Sequence, residues 1–522
     1  MSALADALRD ARKVEFLVEL DFDGLVNRYA MKDVVVPNSS GDDKFFEGTI
    51  LQEFEVAIAF DFRSWRYDAP SVDITLANTA RLQDQEAKVR LDGGTGRIYL
   101  WAPGLTWDDI HPKGLIFCGA FEKKSHDKYS YTFALTDRAE HVFDTIPKKV
   151  ITEDLWPNAR AAGGGGSVLG RPYPMIFGDW PKGVPVHCVS TTAYTYLVCG
   201  GTCKSDDDDY TYSRERLYDK NGSAISATYY TFYPDRVDAE GDAVAYFDVT
   251  SDHASLEPLS CSIEGIFDAS GDITGTAGAV IEHPADIILH LVAHHSSLLP
   301  GGREIESLRT MRSCLPGLKF ATIIKEQAPT GDIIDRILYQ CRCARIPRGE
   351  GIGVVPFDTN GPPLRSIIKD FHATDRVVTI EPTPADAVFN RVRASYKINP
   401  VTGAYEDALI RDRTNNSACR QSYFQYGERP SRDIAMPDIQ NEAAAVCCLE
   451  RMIEFAAFRH DVATVPVPVW EGVDFREGDV ALLTLEEGPS LGGLGWVDEP
   501  CILVDRRFTK RNIIQRWWKI AT

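Results

Sequence analysis

The sequence predicts a mainly β protein of several domains, in which β modules flank an α+β insertion. Three observations predict it. Short stretches rich in Val, Ile, Phe and Tyr alternate apolar with polar residues up to Ile281 and again from Arg391. Beyond the N-terminus, helical periodicity begins only after Glu282. A chain of 522 residues also exceeds what one ordinary core supports.

The elements follow in order. "MSALADALRDARK" reads as a short amphipathic helix with Leu4, Leu8 and Ala11 on one face, and it lacks a signal-peptide core. "VEFLVELDF" (14–22), "EFEVAIAFDF" (53–62) and "SVDITLAN" (71–78) alternate with period two. "KVRLDGGTGRIYLW" (88–101) reads as two strands around Asp92-Gly93-Gly94, and 115–137 as a hairpin with a polar tip. A glycine run closes this first β-rich domain, 1–165. Strands resume in a second β domain, 166–282, with "GVPVHCV", "AYTYLVC", "ISATYYTFY" and "AVAYFDV". An α/β insertion, 283–387, opens where Pro284 suits a first helical turn and Ile287, Ile288, Leu291 and Val292 form one stripe; 331–346 reads as its second helix. The closing module, 388–522, starts with the strand 391–400 and contains a long helix, 441–458, with Asp438 or Asn441 as candidate N-cap. "ATVPVPVW" (463–470) alternates Val with Pro, which suits an edge or chain-entry strand. "FREGDVALLTL" and "CILVDRRFTKRNIIQRWWKI" complete the module, with Trp517 and Trp518 on opposite sheet faces.

Candidate chemistry is sparse. Gly165-x-x-x-x-Gly170 has the spacing of a phosphate-binding loop, but Arg171 and Pro172 replace the Lys and the hydroxyl, and Pro174 opposes a helix start. His290 and His294 lie one helical turn apart, as zinc ligands can, yet Leu291 stands where a metalloprotease carries its Glu. Cys188, Cys199, Cys203 and Cys261 match no known ligand spacing. Cys341-x-Cys343 and Cys447–Cys448 lie on apolar helices, where thiols pack as small hydrophobes. Packing is the preferred reading for all of these, so no metal and no cofactor is expected. The twelve cysteines are expected as reduced thiols. "KSDDDDY" (204–210) lacks the alternating acids of a calcium loop and reads as a solvated tip. No Gly-x-Ser-x-Gly elbow occurs, and no catalytic residue is assigned. A net charge of −20 argues against nucleic-acid recognition, and no apolar run reaches membrane-spanning length.

Five motifs in order resemble the baseplate hub, or tail-tip hub, proteins of long-tailed bacteriophages and related prophages. "GRPYPMIFGDWPKGVPV" (170–186) is similar to the Pro-x-Pro-hydrophobic-Tyr/Phe-Gly segment that opens their second β region. "IEGIFDASGDITGTAGAVIEHPADIILHLV" (263–292) resembles their strand, Gly-rich turn and Asn-Pro-Ala-Asp helix. "VFNRVRASYKINPVTGAYED" (388–407) resembles their Asn-x-Val-x-Val-x-Tyr strand with its hairpin. "YGERPSRDIAMPDIQNEAAAVCCLERMI" (426–453) resembles their Tyr-Gly turn before an Ala-rich helix, and "VDFREGDVALLT" (473–484) their closing strand. The aspartate run and the many cysteines depart from the pattern. Since the sequence ends soon after the closing strands, fibre and receptor contacts are expected to belong to other proteins.

The resemblance implies tail-tube-like β-barrel or sandwich modules and a non-enzymatic structural role. It implies a homotrimer that joins the tail tube and distal tail ring protein to a central fibre or spike and forms part of the DNA-ejection channel. Phage DNA would be met only in transit, without stable membrane insertion. The protein would be assembled in the host cytoplasm and located at the virion tail tip. The rival readings are a glycan-cleaving or glycan-binding β-rich virion enzyme, and a neighbouring distal-tail ring protein.

Overall fold

A computed structural model describes residues 3–10, 14–68, 71–79, 82, 88, 94–111, 113–137, 144–161, 167–204, 215–250, 256–296, 302–348, 351–358, 363–374, 377–489 and 495–519. The mainly β character expected from the sequence is observed. The helix Ala3–Asp10 buries Leu4 and Leu8 as its stripe requires; Ala11 and the Asp92-Gly93 turn lie outside the described residues.

The first sheet closes on itself. Antiparallel pairing runs from Leu25–Ala30 through Glu15–Phe22, Gly94–Trp101, Leu115–His126 and Ser130–Asp137 to Ser71–Ala77. The strand Lys44–Gly48 lies parallel to the first of these, and the chain just beyond it spans both edges. The Ile50 amide donates to the Ala30 carbonyl at 3.0 Å, while the Leu51 amide donates to the Thr75 carbonyl at 2.9 Å. A barrel results, whose alternating apolar residues fill its interior. Close strand approach needs glycine at Gly94, where a Cβ would meet the Asp21 carbonyl oxygen at 2.1 Å.

The closing module is a second sheet, ordered Ser366–Ile368, Val480–Leu485, Trp496–Phe508, Asn512–Lys519, Asp461–Pro468 and Thr379–Pro382. A strand from the first part of the chain joins it: Val56–Ile58 pairs with Arg506–Phe508. One apolar core therefore takes residues from Leu4 to Leu135 together with residues from Ile367 to Trp517, so the segment 1–165 shares it with 388–522 and with Ile367 and Val378 at the end of 283–387. Asp505 reinforces the join by accepting from the Phe60 amide and from Arg516.

The expectation that 463–470 is an edge strand holds for half of it. Asp461–Thr464 is paired on both sides; Pro466 and Pro468 lie beyond the end of Thr379–Pro382, where proline removes no ladder bond. Between the modules, the strands of 179–264 and the helices Pro284–His295, Gly302–Cys314, Thr330–Gln340 and Glu442–Ala456 surround another core. Two helices differ from expectation. The segment 331–346 stops being helical at Gln340, because Arg342 adopts a left-handed φ of 54° and a strand starts at Ala344; Cys341 and Cys343 therefore sit on a turn, not a helix. Helix Gly302–Cys314 carries mixed polar and apolar residues without a clean stripe and had no sequence signal. The long helix is capped by Asn441, whose side chain accepts from the Ala444 amide at 2.7 Å. Asp438 instead receives both Nε and Nη2 of Arg336 at 2.9 Å.

Asn512–Lys519 is hydrogen-bonded on both edges, and its tryptophans enter different cores: Trp517 faces the barrel side, and Trp518 meets Trp65, Phe357 and Phe455. Both indoles are fully buried. W517A and W518A should each cost ~3–5 kcal/mol in urea unfolding. F424A, at an exposed ring, should leave the midpoint unchanged. Truncation after Lys510 should give insoluble protein; soluble protein from it would refute the central role of the strand.

Candidate functional site

Gly165 lies outside the described residues, as do 205–210 of the aspartate run. Around Gly170 the amides are already used: Gly170 donates to the Ile151 carbonyl at 2.8 Å and Arg171 to the Val168 carbonyl at 3.1 Å. No helix follows, and the chain enters the strand Met175–Phe177, so no row of amides faces an anion.

His290 and His294 do come together, with ring centroids 4.5 Å apart, and His295 lies 6.1 Å from His290. Burial pushes the His290 imidazole down to about 3 and that of His295 to about 4. His290 packs edge-on against Phe177 at 5.3 Å. Among the described residues no group of three or more His, Cys, Asp or Glu is placed to hold a metal.

Cys188, Cys199, Cys203 and Cys261 are all buried in the central core, and no two of the chain's cysteines form a disulfide. The Cys203 thiol is held well above its usual value by its bond to Cys199 and then by burial; burial does the same to Cys261. A thiolate ligand needs the opposite shift. These groups pack.

Four of the five motifs, by contrast, are bonded in pairs, and each of the five sits where segments cross. Gly178, in the first motif, has φ +75° and donates to the Ile281 carbonyl at 3.0 Å, which lies in the second motif. A Cβ on Gly178 would meet the Phe320 carbonyl oxygen at 2.1 Å, so only glycine fits. The Gly-rich turn of the second motif is organised by buried Asp268, which accepts from the amides of Gly271, Ile273 and Thr274 at 2.7–2.9 Å. Burial opposes ionisation there, but these amides outweigh it and hold the carboxyl below its usual range. Asn390, which opens the third motif, donates to the Gly427 carbonyl at 2.9 Å and accepts from the Arg429 amide at 3.1 Å. Gly427 belongs to the Tyr-Gly turn of the fourth motif. In the fifth, Gly478 takes φ +91° and donates to the Leu503 carbonyl at 2.8 Å, which starts the strand Val480–Leu485.

The surface has a second relevant feature. Val34–Val36 is a short edge strand whose Val35 lies directly opposite Phe45, and the two are 56% and 53% exposed. A cross-strand apolar pair on an open edge is a template for association rather than a scattered exposed residue.

Acidification is expected to destabilise the fold. Burial also lowers His187 and His460 to about 4, while it raises Asp286 and Asp505 to about 6. Unfolded imidazoles take up protons below about 6.5, which the four folded ones refuse, so their stability contribution is lost as the pH falls toward 4. The two carboxyls act oppositely between about 4 and 6, since the folded chain keeps protons that the unfolded chain releases. Burial lowers His283 in the same direction, so the imidazoles outnumber the two carboxyls, the unfolded state binds more protons near pH 5, and stability falls as the pH drops from about 6 toward 4. Urea midpoints at pH 7 and pH 5 test this; a midpoint that rises on acidification would contradict it.

No family model and no curated protein matches the chain. Solved structures similar to it include three virion or tail proteins. The 43 kDa tail protein of prophage MuSo2 from Shewanella oneidensis is 8% identical, with 96% of this chain and 98% of that one covered and a TM-score of 0.39. A chain of the native gene transfer agent virion is 16% identical over 50% of this chain and 84% of that one, at a TM-score of 0.22. A chain of the phage P2 baseplate in its activated conformation with Ca is 11% identical over 72% and 97%, at 0.19. Scores of this size do not establish a shared fold.

Proposed function

We propose that the chain is a structural virion protein, the homotrimeric hub of a phage tail tip that joins the tail tube and distal ring to a fibre or spike around the DNA channel. The observation that carries this is the ordered set of five hub-like motifs, four of which are bonded in pairs, Gly178 to Ile281 and Asn390 to Gly427. A closed β-barrel fused to a second sheet suits a load-bearing ring component, because closure leaves few edges to fray. The open edge at Val35 and Phe45 offers one surface for neighbouring subunits.

Native mass spectrometry of assembled tail tips should give three copies per particle; six or twelve would refute the hub reading. F45D should weaken subunit association while leaving the thermal midpoint of the isolated chain within a degree or two. DNA must slide through such a channel without sticking. Each subunit carries −20, and three carry a formal −60 (3 × −20), so low-salt filter binding should retain no DNA. Tight, salt-sensitive retention would contradict a channel role.

A further inference from the structure

A cavity of about 100 Å³ lies where the first part of the chain, the insertion and the closing sheet meet, lined among others by Trp65, Tyr339, Arg342, Phe455 and Trp518. Arg342 is 5% exposed and forms no salt bridge among the described residues. Its guanidinium is clamped between the rings of Trp65 at 4.7 Å and Tyr339 at 4.8 Å, which fixes its plane. Arg342 Nε and the indole Nε1 of both Trp65 and Trp518 are buried and have no acceptor among the described residues. These groups can only donate. Two of the lining residues also hold left-handed backbone, Trp65 at φ 59° and Arg342 at φ 54°, a strain that clusters at ligand sites.

The charged groups around the cavity favour one negative charge. Arg63 and Arg432 stand at the exposed mouth, but Asp386 already pairs with Arg63 at 2.9 Å and takes Arg432 Nη2 on its carbonyl at 3.3 Å. Asp433 stands exposed at the lip, and His460 Nε2 donates to the Phe455 carbonyl at 3.1 Å. Burying a guanidinium without a counter-charge is costly, and a planar fork matches a carboxylate in two parallel hydrogen bonds. The aromatic walls suit a short carbon chain behind it. We propose that this cavity binds a carboxylate bearing a single negative charge, with Arg342 as its counter-ion and the two indoles as flanking donors. The carboxylate belongs either to a small aliphatic acid or to the C-terminus of a peptide segment; both present the same group to Arg342.

The test uses the full chain at constant ionic strength. Titration with butyrate should shift the indole N–H resonances of Trp65 and Trp518 in 15N-labelled protein and raise the thermal midpoint, while butyramide, its neutral counterpart, should do neither. R342M should abolish the response. Because that variant faces a buried core, R432Q at the exposed mouth provides the second arm and should weaken butyrate binding at least three-fold without altering the fold. Ala-Ala-Val with a free C-terminus, compared with its amide, separates the two sources: tighter binding than butyrate assigns a peptide terminus, and weaker binding a small acid. Equal responses to butyrate and butyramide, unmoved indole resonances, or stronger binding of inorganic phosphate would overturn the assignment.

Discussion

The strand Asn512–Lys519 is the constraint on which the two largest cores depend. It lies between Asp461–Pro468 and Trp496–Phe508 and buries adjacent indoles on opposite faces. A strand has only two edges and two faces, and here all four are in use. The neighbour Trp496–Phe508 then bonds Val56–Ile58 at its far end, so the barrel cannot be packed independently of the closing sheet. Asp505 sits at that corner and ties the Phe60 amide to Arg516, a buried acid satisfied by one backbone donor and one cation.

The motifs and the cavity answer to different physics. Motif residues are glycines at positive φ, capping carboxylates and an asparagine that bridges two turns; each satisfies backbone groups where chain segments cross. Such positions tolerate few residue types, so they recur as short patterns whatever the surface does. Cavity donors come from Trp65, Arg342 and Trp518, brought together by three separate segments.

Local elements were legible for this reason. The hairpin 115–137, the Pro284 helix start and the opposed Trp517 and Trp518 follow from period and capping, which act within a few residues. Closure of the barrel was not legible, since it depends on Ile50 and Leu51 reaching two distant strands at once. Nor was the stop at Gln340, where an arginine rather than a glycine takes the left-handed turn. The His290–His294 juxtaposition was foreseen, and the structure adds the burial that sets its character. The cavity had no sequence signal, because no spacing links residues so far apart.

The bond between Phe60 and Asp505 spans 445 residues of chain. At ribosomal rates of about 5–20 residues per second, the partner strand follows the barrel by roughly 20 to 90 s. During that interval the Phe60–Trp65 aromatics wait for Phe357 and Phe455 to cover them, and the Val56–Ile58 edge lacks its partner until Arg506–Phe508 emerges. Supply of this protein during a burst of synthesis is therefore governed by how well its early half is kept from sticking to other copies, and a chaperone that shields apolar edges would set the yield more strongly than final stability does.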